Sequence, residues 1–173
     1  VNILFIATNN LKSGAINHAK SYNIPLLTFK KLDLTNTNKL VDKLNNNRIE
    51  LIVLAGFLLK IPEEFISQFN GKIINIHHSF LPSFKGARPY HQAFERGVKV
   101  IGATAHYVTK DLDEGPIIEQ DTQEVNHEMM PSDLVLMGRD IEARVLYRAI
   151  KAHSERRVFL NDNRTIVFRG QKI

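Results

Sequence analysis

Short apolar runs alternate with stretches whose apolar residues step by three or four along nearly the whole 173-residue chain. An uninterrupted apolar run fits a strand covered on both faces, whereas steps of three and four mark one face of a helix. On that basis Ile3 to Ala7 is predicted as a buried strand, and Lys12 to Tyr22 as a helix with Ala15, Ala19 and Tyr22 on one face. Leu26 to Phe29, after Pro25, reads as a short strand, and Asn36 to Asn47 as a helix carrying Leu40, Val41 and Leu44. Glu50 to Ala55 is the next buried strand, Glu63 to Phe69 a short helix behind Pro62, and Lys72 to Ile76 a further strand. The segment from His77 to Arg88 holds Pro82 and Gly86 and has no period, so it reads as a loop.

Pro89 to Gly97 is predicted as a helix opened by proline and closed by glycine. Val100 to Thr109 reads as a long strand, Lys110 to Pro116 as a tight polar turn, and Ile117 to Val125 as another strand. Pro131 to His153 is the longest helix, with Leu134, Met137, Ile141, Val145 and Ala149 along its apolar stripe. Arg157 to Phe168 reads as a hairpin turning at Asn161-Asp162-Asn163, with Phe159 and Phe168 directed to the core. Strands and helices in alternation predict one α/β domain over residues 1–173 with a mainly parallel sheet. Ligands in such sheets bind at the carboxyl ends of the strands. That singles out two exits, after Ile73-Ile74 and after Val100 to Thr109.

Composition narrows the class of protein. The chain has no cysteine and 43% hydrophobic residues, enough for one core, and it has no thiol for a disulfide or a cysteine-held metal. No apolar run approaches the roughly 20 residues of a membrane span, and no signal sequence opens the chain, so a cytoplasmic protein without a membrane partner is expected. The net charge of +5 invites a nucleic-acid reading. However, the basic residues crowd the carboxyl end, at Lys151, Arg156, Arg157, Arg164, Arg169 and Lys172, where a solvated face or a subunit contact fits better than a nucleic-acid groove.

Chemistry is concentrated at the two strand exits. Side chains two apart on a strand share a side, so Asn75 and His77 converge while Ile76 and His78 face away. An amide N–H beside an imidazole that can be protonated makes a donor pair for an oxyanion, and the imidazole also moves a proton. Alone, such a pair more often satisfies loop backbone than carries chemistry. In the turn after the second exit, Asp111 or Asp113 could lie across from His77 and hold it cationic, or both could be ordinary turn residues. Spacing does not choose between them. His106 and Thr104 share one face of their strand, as packing or as support behind the site. The remaining histidines have no metal-ligand spacing, so no metal is expected. No glycine loop of the phosphate-cradling kind is present.

Taken together, the run Asn75-Ile76-His77-His78-Ser79-Phe80-Leu81-Pro82 through Ala93, then Gly102 to Val108, then Leu112-Asp113-Glu114-Gly115-Pro116 through Asp121, closely resembles the formyltetrahydrofolate deformylases. The likeness continues through Gly138-Arg139-Asp140-Ile141-Glu142 and Asn163 to Phe168. The wider formyltransferase family, including glycinamide ribonucleotide transformylase, shares the Asn-x-His and Leu-Asp-x-Gly-Pro elements. The resemblance implies a Rossmann-like formyltransferase fold with a carboxyl-terminal β-hairpin. It also implies hydrolysis of 10-formyltetrahydrofolate to formate and tetrahydrofolate, without a metal or other cofactor. It makes Asn75, His77 and Asp113 the catalytic trio, supported from behind by His106 and Thr104. It assigns Leu58, Ile61, Gly86, Val108, Thr109, Lys110 and Asp111 to the folate. His78 favours the deformylases, because transformylases usually carry proline there, while Ala55-Gly56-Phe57 looks more like the transformylase pattern. Val1 to Asn10 matches the family's second strand. The resemblance therefore implies a first strand and an ACT regulatory domain upstream, and a homo-oligomer.

Overall fold

The computed structural model describes residues 1–29, 37–57, 59–81 and 89–170, with the side chains of residues 37–39 left out. The elements run β1 (Ile6–Thr8), α1 (Ala15–Ser21), β2 (Leu26–Thr28), α2 (Thr37–Asn46), β3 (Ile52–Leu54), α3 (Glu63–Gln68) and β4 (Ile73–His77). They continue with α4 (Pro89–Glu95), β5 (Val100–Tyr107), β6 (Ile117–Glu124), α5 (Pro131–Ser154), β7 (Val158–Asn161) and β8 (Arg164–Val167). Every predicted element is present. The predicted loop after β4 is described only as far as Leu81, and the expected folate residues Leu58 and Gly86 lie outside the described residues.

A four-stranded sheet of order β3-β4-β5-β6 forms the body, and β1-β2 and β7-β8 form separate two-stranded sheets. The expected parallel pairing holds in the amino-terminal half, for β1 with β2 and β3 with β4. From β5 onward the pairing is antiparallel. The reason for β5 and β6 is the short turn between them, since parallel strands require a crossover of a dozen or more residues.

Two apolar layers cover the sheet. On one face α5 lays Leu134, Ile141, Val145 and Ala149 against Ile74, Ile76, Ala103 and Ala105. On the other, Val41 and Leu44 of α2 join Ile61, Phe65, Ile66, Phe69 and Ile73. Burying each large aliphatic side chain contributes about 1.5–3 kcal/mol, so Ile73 and Ile74, almost wholly shielded in opposite layers, hold β4 from both faces. Helix α5 begins at Pro131, and the Asp133 carboxylate accepts the Met130 backbone N–H at 2.8 Å, satisfying a donor the helix leaves open.

Four expectations about burial fail at the periphery. Ile3 and Leu4 are exposed because the strand starts only at Ile6 and pairs on one side, with β2. Val53 is 38% exposed because β3 is an edge strand. Tyr22 leaves its predicted face because α1 ends at Ser21. Phe159 and Phe168 are half-exposed rather than in the core. Their hairpin stands apart from the main sheet, and the two rings pack edge-on against each other at 5.5 Å.

The α4–α5 contact depends on one glycine. A Cβ on Gly138 would collide with the Tyr90 ring, whose hydroxyl donates to Glu142 at 2.6 Å. Overpacking costs about 1–3 kcal/mol, and alanine regains about 1 kcal/mol of helix propensity. The overlap falls on the hydroxyl end of a buried ring, the end that the bond to Glu142 holds in place, so the steric cost prevails. Gly138→Ala is expected to lower the thermal midpoint, and an unchanged or raised midpoint in a melting experiment would show that Tyr90 yields freely.

Candidate active site

Strand β4 ends at His77 with its apolar residues turned inward, so Asn75 and His77 stand on the side opposite Ile74 and Ile76. Antiparallel pairing then brings β5 alongside, with Asn75 opposite His106 and His77 opposite Thr104. Directly opposed residues lie on one face with their Cβ atoms about 4.5–5.5 Å apart. Accordingly the Asn75 Nδ2 is 3.4 Å from the His106 Nε2. The turn after β5 returns a carboxylate to this pair. Asp113 Oδ2 lies 3.3 Å from His77 Nδ1, and Oδ1 lies 3.7 Å from His106 Nε2.

The turn reaches that point through two backbone devices. Asp113 adopts φ +58°, a left-handed conformation that Asp and Asn tolerate better than other side chains. Gly115 lies so close to the Tyr107 carbonyl that a Cβ there would overlap it, while the Tyr107 N–H donates to the Pro116 carbonyl at 2.9 Å. The ladder between β5 and β6 also slips between Ala105 and His106, an irregularity of the kind that re-aims side chains beside functional sites.

The structure thus brings together Asn75, His77, Asp113 and His106. Asp111 stays exposed, and its backbone carbonyl accepts the Thr109 hydroxyl at 3.2 Å. Val108 packs on the second apolar layer, and its N–H donates to the Ile73 carbonyl. Ile61 is both a core residue and part of the lining of a cavity of about 350 Å³ shared with Lys60, Pro62, Glu63 and Lys110. His78 does not face away as the strand period predicts. The strand stops at His77, and the His78 ring stacks on that of His77 at 4.8 Å and lies 6.5 Å from Tyr90. Among the described residues no group of three or more His, Asp or Glu side chains is arranged to hold a metal ion.

His106 does more than the packing role that its strand position suggests. A carbonyl only accepts, so the 2.9 Å contact between His106 Nδ1 and the Tyr107 carbonyl puts the proton of a neutral ring on Nδ1. Nε2 is then an acceptor, and the Asn75 amide turns its N–H toward it. Sequence reasoning missed two further contributors. Gln120 contacts Thr104 across the sheet, and the Tyr107 hydroxyl meets His153 Nδ1 at 2.7 Å. Gln120 falls on the same alternation as Thr104, but only the register makes them neighbours.

Burial pulls the His106 pKa below its ordinary value, outweighing the Tyr107 carbonyl and the Asp113 carboxylate, which both raise it. Burial acts on His153 in the same direction and pushes the Tyr107 phenol up to about 12. A histidine with a lowered folded pKa binds fewer protons folded than unfolded in the window below about 6.5. Its contribution to stability is therefore complete above that pH and is lost as the pH falls toward the folded value. The urea midpoint is expected to drop from pH 7 to pH 5, and His106→Gln to drop less steeply. Nitrogen NMR should find the His106 ring more than half neutral at pH 6.5, and a ring half-protonated at or above that pH would refute its burial as neutral imidazole.

The formyl transferase family model matches residues 1–150. The chain is 55% identical over 130 residues to the formyltetrahydrofolate deformylase of Corynebacterium sp. (strain P-1), covering 75% of this chain and 46% of that protein. The crystal structure of the formyltetrahydrofolate deformylase from Burkholderia mallei superposes with a TM-score of 0.88 at 44% identity, over 97% of this chain and 60% of that one. A phosphoribosylglycinamide formyltransferase from Anaplasma phagocytophilum superposes with a TM-score of 0.89 at 32% identity, over 99% and 84% of the two chains. The chain spans about half the length of the curated deformylases it matches. With the matched model running from the first strand well into α5 and enclosing all four residues of the site, the chain belongs to the formyl transferase family.

Proposed function

We propose that this chain is the catalytic part of a cytoplasmic enzyme that hydrolyses 10-formyltetrahydrofolate to formate and tetrahydrofolate, supplying formate for purine synthesis and balancing folate one-carbon pools. The observation that carries the reading is the meeting of Asn75, His77 and Asp113 at one strand exit, with His77 Nδ1 3.3 Å from the Asp113 carboxylate. Relatives at 53–55% identity that bear the deformylase name support it.

Water attacks the formyl carbon, and negative charge develops on the formyl oxygen. The second N–H of the Asn75 amide, whose first faces His106 Nε2, donates to that oxygen. Protonated His77 donates to it as well, its charge supported by Asp113, and later passes a proton to the departing N10 of the folate. The same carboxylate orients the attacking water and takes its proton, and collapse of the tetrahedral intermediate breaks the C–N10 bond to release formate. Water is the nucleophile and N10 the leaving group, so the scheme calls on no metal or redox cofactor. The folate lies along Ile61 and the 108–111 backbone beside the Lys60–Lys110 cavity. An ACT domain upstream and assembly into a homo-oligomer belong to the same proposal. The outer edges of β1 and β3, with Val53 exposed, suit an added parallel strand from that region.

The second reading is formyl transfer to the amine of glycinamide ribonucleotide. It is favoured by Ala55-Gly56-Phe57 and by the likeness to the Anaplasma transformylase. Formate release measured with and without glycinamide ribonucleotide separates the two: acceptor-independent release means hydrolysis, and formyl transfer only with the acceptor means a transformylase. Loss of one oxyanion donor costs about 2.7–4 kcal/mol, so Asn75→Ala is expected to lower turnover by about 10²–10³ with the fold intact. An unchanged turnover number would remove Asn75 from the mechanism. Asp113→Asn keeps a side chain that tolerates the left-handed turn and deletes the charge, so turnover should fall while the melting midpoint barely moves. Turnover near the parent value would mean that His77 needs no anionic partner.

A further inference from the structure

Strands β4, β5 and β6 carry His77, Thr104 and Gln120 as successive cross-strand partners, so the three side chains form one row on the site face. The β4 strand stops at His77, and the next few residues decide where the chain goes. Both N–H groups of the Gln120 amide are engaged there: Nε2 donates to the Leu81 carbonyl at 3.1 Å and to the Thr104 hydroxyl at 2.9 Å. That hydroxyl also accepts the Leu81 N–H at 3.1 Å and donates to the Ser79 carbonyl at 2.9 Å. A threonine hydroxyl has one donor and two acceptor positions, and all three are used. Thr104 is fully shielded from solvent and Ser79 and Leu81 nearly so, so water cannot replace a lost partner.

We infer that Gln120 is a positioning residue for His77: through the Thr104 hydroxyl and the Leu81 backbone it clasps the chain as it leaves β4, and so fixes where the His77 imidazole stands. The inference rests on the hydrolytic reading above and deepens it. The bonds of the Gln120 amide run to Leu81 and Thr104, neither of which takes part in the proposed scheme. Glutamine suits the position because two donors are required. A glutamate would turn a carboxylate oxygen toward the Leu81 carbonyl, and a leucine would fill the space without bonding.

The test compares Gln120→Leu, Gln120→Glu, Thr104→Val and the conservative Thr104→Ser. It uses formate release, amide hydrogen exchange and nitrogen NMR of the His77 ring. Small misplacement of a catalytic group costs up to about 10²-fold, so Gln120→Leu, Gln120→Glu and Thr104→Val should lose about ten- to a hundred-fold in kcat with KM within about threefold. Thr104→Ser, which keeps the hydroxyl, should retain activity. Exchange at the Leu81 amide should quicken about tenfold or more in Gln120→Leu while the amides of Ile74 and Ala105 are unaffected. Three results would overturn the inference: kcat in Gln120→Leu within about twofold of the parent, uniform quickening of all sheet amides, or Thr104→Ser as impaired as Thr104→Val. If the parent chain itself releases no formate, the hydrolytic reading fails on its own. The His77 ring then decides the inference: a changed titration midpoint in Gln120→Leu upholds it, and an unchanged one refutes it.

Discussion

Antiparallel hydrogen bonding between β4 and β5 sets Asn75 opposite His106 and His77 opposite Thr104, and the rest of the site hangs from those two pairs. Side-chain direction in a strand alternates with period two, so a slip of one residue would turn His106 and Thr104 into the α5 layer and bring Ala105 to the site. The register is held because the opposite face cannot slip. Ile74, Ile76, Ala103 and Ala105 on that face are packed against α5, which is itself fixed by Leu134, Ile141, Val145 and Ala149. A dry apolar layer on one side of the sheet thus positions polar groups on the other.

Tyr107 transmits that order to the turn. Its N–H is bonded to Pro116, its carbonyl to His106, its hydroxyl to His153 of α5, and its backbone leaves no room for a side chain at residue 115. The carboxylate of Asp113 therefore arrives beside His77 without a long loop to order, which limits the conformational entropy lost in assembling the site. The two imidazoles beside Asp113 have different tasks. His106, buried and with its Nδ1 proton committed to a carbonyl, is kept neutral and orients the Asn75 amide. His77 has its Nδ1 against the carboxylate, the contact through which the proposed scheme supports its charge.

The chain superposes equally well on a structure named a formyltetrahydrofolate deformylase and on one named a phosphoribosylglycinamide formyltransferase, so the backbone frame by itself does not distinguish the two. In the proposed scheme Asn75 and His77 meet the formyl oxygen, and the place of both is set by the sheet register. The inferred clasp of Gln120 and Thr104 around Leu81 acts on the same strand end, because it holds the first residues after His77.

Local sequence was enough to determine the order and type of the elements, the apolar stripe of α5, and the convergence of Asn75 with His77, because each depends on spacing within a single element. Asn-x-His at a strand end and an Asp-rich turn could be recognised as chemistry, and the family likeness singled out Asp113 where spacing left Asp111 equal to it. Tertiary structure decided the exposure of Phe159 and Phe168, the stacking of His78 on His77, the tautomer of His106 and the bonding of Gln120 to Thr104 and Leu81. Each of these depends on which residue of one strand or helix stands against which residue of another. Strand register is set by long-range packing and turn geometry summed over the whole sheet, and no single segment of the chain carries that information.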